Sequence, residues 1–308
     1  MNCCTNCFCD TSLINIINSL STLSGNCDFC DTRDVTIVNC EKLSDSFENL
    51  FELYENFPSS ITSLKIDAPF LLHEHLSTYW PNLFNTKTLK LKDVKQLIDQ
   101  IGRGSQLYTS DLFSKPVELS IAITETENNN LELKWDSFCN EIKYNNRFFL
   151  NTSIDTDILG SIFQRLTSTY PTGTTFYRAR ISDNLLKGNE LGKPPFDKTT
   201  PGRANPIGIP YLYVSESKET TLYETRVALH EGISIGKFIL THPLNIISLK
   251  SISDYSPFEI IDKGFILEEF IQYRPYLQRL GQELSKPVRK QDIHLDYLPT
   301  QYLCEFIK

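Results

Sequence analysis

The stretch Gly202-Arg-Ala-Asn-Pro-Ile-Gly-Ile-Pro-Tyr-Leu-Tyr-Val-Ser-Glu-Ser-Lys-Glu-Thr-Thr-Leu-Tyr-Glu-Thr-Arg226 decides how the second half of the chain is read. It opens on the turn formers Gly202, Asn205, Pro206, Gly208 and Pro210, runs through the apolar segment Tyr211 to Val214, and reaches Ser215 and Ser217. Either serine can cap a helix, so the order predicts loop, strand, helix. Such a path delivers Tyr213 and Glu224 from adjoining elements, as a binding loop does, although an ordinary tight connection reads the same way.

Upstream, Ile158 to Tyr170 has helical spacing in Leu159, Ile162, Phe163 and Leu166. Pro171-Thr-Gly-Thr then turns into the β-prone run Thr175 to Ile181, where Tyr177 and Ala179 share one face and Arg178 and Arg180 the other. The two arginines either lie solvated at a sheet edge or supply positive charge for an anionic ligand. Downstream, Ile233 to Leu240 and Leu244 to Ser251 read as strands. Phe265 to Leu280 contains helix that Pro275 breaks or restarts, and Asp296 to Lys308 reads as a turn and a final helix.

A length of 308 residues favours two domains, expected at 1–150 and 151–308. Hydrophobic residues at 40% and charged residues at 22% place the chain among soluble globular proteins. The net charge of -8 argues against nucleic acid as a partner, so an anionic ligand needs a local arginine cluster. No run approaches the roughly 20 apolar residues of a membrane span, and Met1-Asn-Cys-Cys lacks the features of a signal peptide, so a cytoplasmic protein without a membrane partner is expected.

Seven of the nine cysteines fall in the first forty residues: Cys3, Cys4, Cys7, Cys9, Cys27, Cys30 and Cys40. In a reducing compartment such crowding points to metal. Cys4-x2-Cys7, nineteen residues and Cys27-x2-Cys30 give the spacing of a four-cysteine structural Zn2+ site, in which Cys3 or Cys9 could replace a neighbour. A segment this short has little core and needs the staple.

The rest of the first half reads as mainly helical. Leu43, Phe47, Leu50, Phe51 and Tyr54 mark one helix, ended by Pro58, and Leu91, Val94, Leu97, Ile98 and Ile101 a second, stopped by Gly102. A third is expected around Trp135 to Tyr144, after a polar loop at Glu125 to Asn130. His73 and His75 stand two apart, a poor metal pair on a helix, and read as solvated or capping.

Set in order, Phe176-Tyr-Arg-Ala-Arg180, Gly202-Arg-Ala-Asn-Pro-x-Gly-Ile-Pro-Tyr-Leu-Tyr213, Thr221-x-x-Glu224 and Tyr297-Leu-Pro-Thr-Gln-Tyr302 resemble the RES domain family, which includes bacterial toxins that break down NAD. The cysteine-rich start and its helical continuation resemble the HEPN/RES-type N-terminal domain that precedes some RES domains. The resemblance implies an α+β chain: a zinc-stapled, mainly helical domain followed by a mixed α/β domain like that of ADP-ribosyltransferases. Relatives continue with strands beyond the region matching Glu305 to Lys308, and the resemblance implies that those strands complete the sheet.

What the resemblance implies at the site is a catalytic set of Arg178, Tyr213, Glu224 and Thr300, with Arg180, Arg203, Asn205 and Gln301 toward the bound NAD. Thr300 or Gln301 stands for the family serine, and Ala204 for a common tryptophan. The implied activity is cleavage of the nicotinamide–ribose bond, as a glycohydrolase with water or as a phosphorylase with inorganic phosphate. The alternatives are ADP-ribosyl transfer to a macromolecule and a catalytically inactive zinc-stabilised interaction module. Toxin or antiphage biology, with an antitoxin or defence-system partner, follows from the resemblance alone. The HEPN label also raises ribonuclease activity, which the acidic charge and the lack of the nuclease Arg-x4-His pattern in the N-terminal half argue against.

Overall fold

Buried Leu97, Ile98 and Ile101 recur at the spacing of one helical face, and the computed structural model places them on a single helix that begins at Leu91 and ends at Gly102. The structure describes residues 1–57, 70–120, 125–152, 154–225, 227–228, 230–249, 252–286 and 293–308. In chain order, its first elements are β1 (Asn2–Cys4), α1 (Thr11–Leu20), β2 (Ser24–Gly25), β3 (Val35–Asn39), α2 (Ser44–Phe51), β4 (Tyr54–Asn56) and α3 (Leu72–Tyr79). There follow α4 (Leu91–Gly102), α5 (Ser110–Ser114), β5 (Val117–Leu119), α6 (Glu125–Tyr144), α7 (Thr156–Arg165), β6 (Thr167–Tyr170) and β7 (Thr175–Ile181). The last are α8 (Lys218–Thr225), β8 (Ile233–Ile239), β9 (Leu244–Ile247), α9 (Pro257–Asp262), α10 (Leu267–Ser285), α11 (Ile293–Asp296) and α12 (Leu298–Ile307).

These elements form two compact units, Met1–Asn129 with Lys250–Gln278 and Asn130–Leu249 with Arg279–Lys308. Each unit is built of two segments, whereas a single division at residue 150 makes each domain continuous. In the first unit, β1, β3 and β2 form an antiparallel sheet in that order, and β4 pairs with β5. Its core gathers Leu13, Ile17, Phe47, Leu50, Phe51, Trp80 and Phe270, all nearly inaccessible to solvent. The Arg274 guanidinium is buried over the rings of Tyr79 and Trp80 and donates to the Tyr79 and Ser253 carbonyls. In the second unit, β7 pairs along its length with β8, β6 pairs with β9, and Trp135, Phe138, Leu159, Ile162, Leu280 and Leu303 make up much of the core.

Several local expectations change. The helix with Leu43 and Phe47 stops at Phe51, and Tyr54 instead begins β4, paired with Leu119. The proposed stop at Pro58 lies outside the described residues. Glu125 to Asn130 is not loop but the opening of α6, since buried Trp135, Phe138 and Ile142 anchor the helix and propagation from an anchored helix is cheap. The helical spacing up to Tyr170 ends at Arg165, because the β-prone run Thr167 to Tyr170 finds a partner in β9. That strand ends at Ile247, and Ser251 lies outside the described residues. Pro275 sits inside a continuous α10. The lost hydrogen bond costs about 3 kcal/mol, which buried Phe270, Ile271, Leu277 and Leu280 on both sides offset.

His73 and His75 are neither solvated nor caps. His73 is buried on α3, which lowers its pKa, and His75 stacks between Phe70 and Tyr79 with its Nδ1 2.9 Å from the Tyr54 hydroxyl. Among the described residues, no helix is long and apolar enough to cross a membrane.

The turn that leads out of α6 depends on one carboxylate. Glu141, only 5% exposed, accepts from the backbone N–H groups of Asn151 and Thr152 at 2.7 and 2.6 Å. Hydrogen bonds from Thr152, then from Asn151, hold its pKa down to about 2. A depressed carboxylate stabilises the fold above its unfolded pKa and loses that contribution as pH falls through the folded value. The contribution is therefore full above about pH 4.5 and lost toward pH 2. Glu141→Gln is expected to flatten this acid limb in a pH series of thermal melts. An unchanged acid limb would show that other carboxylates set it.

Candidate functional site

The cysteine cluster forms where two tight turns meet. Cys4 ends β1, Cys7 ends the 3-10 turn Thr5–Cys7, and Cys27 and Cys30 flank a loop whose backbone closes through Cys27 N–H to Thr32 O at 2.9 Å. The two turns are pinned together by Asn2 and Asp28, which exchange backbone hydrogen bonds to side chain and main chain. All four Sγ atoms lie within 4.8 Å of one another, with Cys4–Cys7 at 4.0 Å and Cys4–Cys30 and Cys7–Cys27 at 3.4 Å. A tetrahedral zinc with Zn–S bonds of about 2.3 Å needs sulfurs about 3.8 Å apart, so the donor set fits a closed four-thiolate site.

Electrostatics say the same. Thiol hydrogen bonds from Cys4 and Cys7 pull the Cys27 pKa well down, while sharing the cluster with that thiolate pushes Cys4 and Cys7 up. Four adjacent sulfurs cannot all ionise without a cation. Strand alternation turns Cys3 away from the cluster, toward Cys40, whose hydrogen bond raises the Cys3 pKa, and Cys9 is exposed. Neither replaces a ligand in the four-sulfur group. Cys139 and Cys304 are half-buried single thiols of the second unit, raised by burial to about 12 and about 11.

In the second unit, Arg178, Arg203, Tyr213 and Glu224 line one cavity of about 670 Å³, a size typical of small-molecule sites. Arg178 stands on β7 opposite Gly236, and an added Cβ there would come within 3.0 Å of Leu191. That close packing brings the Leu191 and Gly192 carbonyls onto the Arg178 guanidinium, which donates to both from Nη1. Burial first, and then the Arg180 cation, lower the Arg178 pKa, and an arginine so perturbed stays charged. Arg180 is exposed, donates to the Glu190 carbonyl at 3.1 Å and does not line the cavity.

The expected strand at Tyr211 to Val214 does not form. Pro206 and Pro210 withhold donors, Gly208 takes φ 82°, and of this stretch only Ser215 reaches β7, exchanging backbone hydrogen bonds with Tyr177. The helix does follow, as α8, with Ser217 Oγ accepting from Thr220 N–H at 3.3 Å. Glu224 lies exposed on α8 with Thr220 one turn before it, both at the cavity. Arg226, a candidate surface partner for Glu224, lies outside the described residues.

Arg203 donates from Nη1 to the Leu284 carbonyl at 2.6 Å and from Nη2 to the Lys286 carbonyl at 2.9 Å, while its buried Nε has no partner among the described residues. The Tyr213 hydroxyl donates to Asn205 Oδ1 at 2.6 Å and accepts from Ala204 N–H at 3.1 Å. Asn205, Thr300 and Gln301, assigned to the site from sequence, are buried behind it and do not line the cavity. Their side-chain donors are taken up by carbonyls of the 200–209 loop and by the Tyr297 carbonyl.

Thr220, Ser215 and Leu284 join the lining without having been expected. The i, i+4 relation of Thr220 to Glu224 is a usable signal, whereas the carbonyls that hold Arg178 leave none. An Arg-x4-His spacing does occur at Arg289 to His294, but Arg289 lies outside the described residues and the pair falls in the C-terminal part of the chain.

Neither the curated proteins nor the solved structures contain a match to this chain. Family models do match it: residues 21–156 match HEPN/RES N-terminal domain 1, and residues 175–308 match the RES domain. The cavity residues all fall in the second match. The chain therefore has the two-domain architecture of a HEPN/RES N-terminal domain followed by a RES domain.

Proposed function

We propose that the cavity binds NAD and cleaves its nicotinamide–ribose bond, passing the ADP-ribosyl group to water or inorganic phosphate. The observation that carries this reading is the meeting of Arg178, Tyr213 and Glu224 at one cavity, from β7, the 202–215 loop and α8. Nicotinamide leaves as a neutral pyridine, so the reaction needs no general acid. What it needs is stabilisation of an oxocarbenium-like ribosyl cation. The Glu224 carboxylate supplies that charge beside the ribose, and bound substrate strengthens it by excluding water.

Arg178, charged and held by two carbonyls rather than by a carboxylate, is free to pair with pyrophosphate or with an attacking phosphate. Tyr213 has committed its hydroxyl to Asn205, so it meets the nicotinamide riboside end through its ring face. The zinc is assigned a structural role in the first unit, since four thiolates leave it no open position for chemistry. NAD consumption fits a toxin or antiphage effector acting in the cytoplasm and restrained by an antitoxin or defence-system partner.

The test is incubation of the pure protein with NAD, with and without phosphate, and identification of the products by mass spectrometry. Free nicotinamide with ADP-ribose indicates water as acceptor, and ADP-ribose 1″-phosphate indicates phosphate. ADP-ribose on a macromolecule instead indicates a transferase, and intact NAD with folded protein defeats the reading in favour of an inactive module. Arg178→Ala is expected to raise KM at least as clearly as it lowers kcat, because its charge meets the substrate before the bond breaks. A pure kcat effect would move Arg178 from substrate capture to the transition state.

A further inference from the structure

We propose that Gln301 is a positioning residue for the cavity, acting through the Gly202–Asn205 turn to lock the Tyr213 ring. Gln301 is only 7% exposed, and its Nε2 donates to the carbonyls of both Gly202 and Asn205, at 2.8 and 3.0 Å. Those two residues are also joined by Gly202 N–H to Asn205 O at 2.9 Å, so one amide ties both ends of the turn. The neighbouring Thr300, also buried, donates to the Arg203 carbonyl at 2.8 Å between them. α12 thus grips a short turn by its carbonyls, and the Ala204 N–H and Asn205 Oδ1 are left for the turn's other side.

What the turn presents on that other side is the Tyr213 hydroxyl. Ala204 N–H donates to it, and Asn205 Oδ1 accepts from it. Asn205 cannot swing to follow a moving ring, because its Nδ2 is held by the Thr200, Pro206 and Ile209 carbonyls at 3.0 to 3.1 Å. The turn also has no slack. An added Cβ at Gly202 would fall 2.6 Å from both Asn205 Oδ1 and the Tyr213 oxygen, so the chain must carry glycine there. Tyr213 itself is 46% exposed, and its hydroxyl is the end that the turn holds. Its orientation is therefore imposed from the buried side, and Gln301 is the outermost fixed point of the relay.

A relay of this kind acts on KM and kcat without touching the substrate. It deepens the NAD reading but is testable apart from it. The probe is amide hydrogen exchange at Ala204 in the full chain, followed by NMR, in the wild type, Gln301→Met and Tyr213→Phe. Removing one hydrogen bond weakens protection by about threefold to tenfold. The expected result is that Gln301→Met speeds exchange at Ala204 by that factor, as Tyr213→Phe does, while the amides of β7 and β8 keep their protection. Unchanged exchange at Ala204 in folded Gln301→Met overturns the proposal.

If Gln301→Met loses protection everywhere, the milder Gln301→Asn decides. A local effect at Ala204 supports positioning, and a second global loss, or none at Ala204, shows that Gln301 serves folding alone and overturns it. In turnover, Gln301→Met and Tyr213→Phe are expected to raise KM by similar factors, and the double variant no further than either. Additive effects overturn the proposal. A wild type that leaves NAD intact defeats the function assigned to the cavity and leaves the exchange experiment to judge the relay.

Discussion

Glu224→Gln is expected to lower kcat for NAD cleavage by about 10²- to 10³-fold, the usual loss when one preorganised electrostatic contact to a transition state is deleted. Glutamine keeps the size of the side chain and part of its hydrogen bonding, so the loss isolates the negative charge. Stability is expected to stay within about 0.5 kcal/mol, because Glu224 is exposed on α8 and surface substitutions of this kind seldom do more. The contrast with Arg178→Ala is informative. An arginine that captures substrate shifts KM, whereas a carboxylate that answers the ribosyl cation shifts kcat. Active protein whose turnover survives Glu224→Gln would mean that another group stabilises the cation.

Removing metal is expected to have the larger effect on structure. Protein purified without chelators should carry about one zinc per chain, the capacity of a single four-thiolate site. Strong chelation should then unfold the β1–β3–β2 sheet and its turns. Apparent binding free energies of structural zinc sites, roughly 10–16 kcal/mol, match or exceed the whole stability of a typical domain. Cys27→Ser should reproduce the loss, and Cys9→Ser should not, since Cys9 is exposed and outside the four-sulfur group. Amides of β7 and β8, in the other unit, should keep their exchange protection. Metal analysis that finds no zinc, or a chelator that leaves the N-terminal amides protected, would remove the metal from the account.

Both effects rest on features that the sequence by itself determined. Cys-x2-Cys turns dictate a four-sulfur set because so few residues separate the donors that each pair must share one turn. Alternation on β7 puts Arg178 and Arg180 on one face, and a serine before Lys-Glu-Thr-Thr starts α8. These are local rules, in which neighbours in the chain are neighbours in space.

Tertiary structure decided the rest. Nothing in the spacing of Arg178 and Arg180 separates them, yet Arg178 meets the Leu191 and Gly192 carbonyls and lines the cavity, while Arg180 meets the Glu190 carbonyl and does not. Glu125 to Asn130 has no periodicity of its own and becomes helix because the buried residues after it carry it along. Thr300 and Gln301 stand where a motif would place chemistry, and they instead hold the turn from behind, since the loop carbonyls they meet come from residues about a hundred positions earlier. Residue types and short spacings state what each side chain can do. Which partner it meets depends on contacts distant in sequence, and a local pattern carries no record of them.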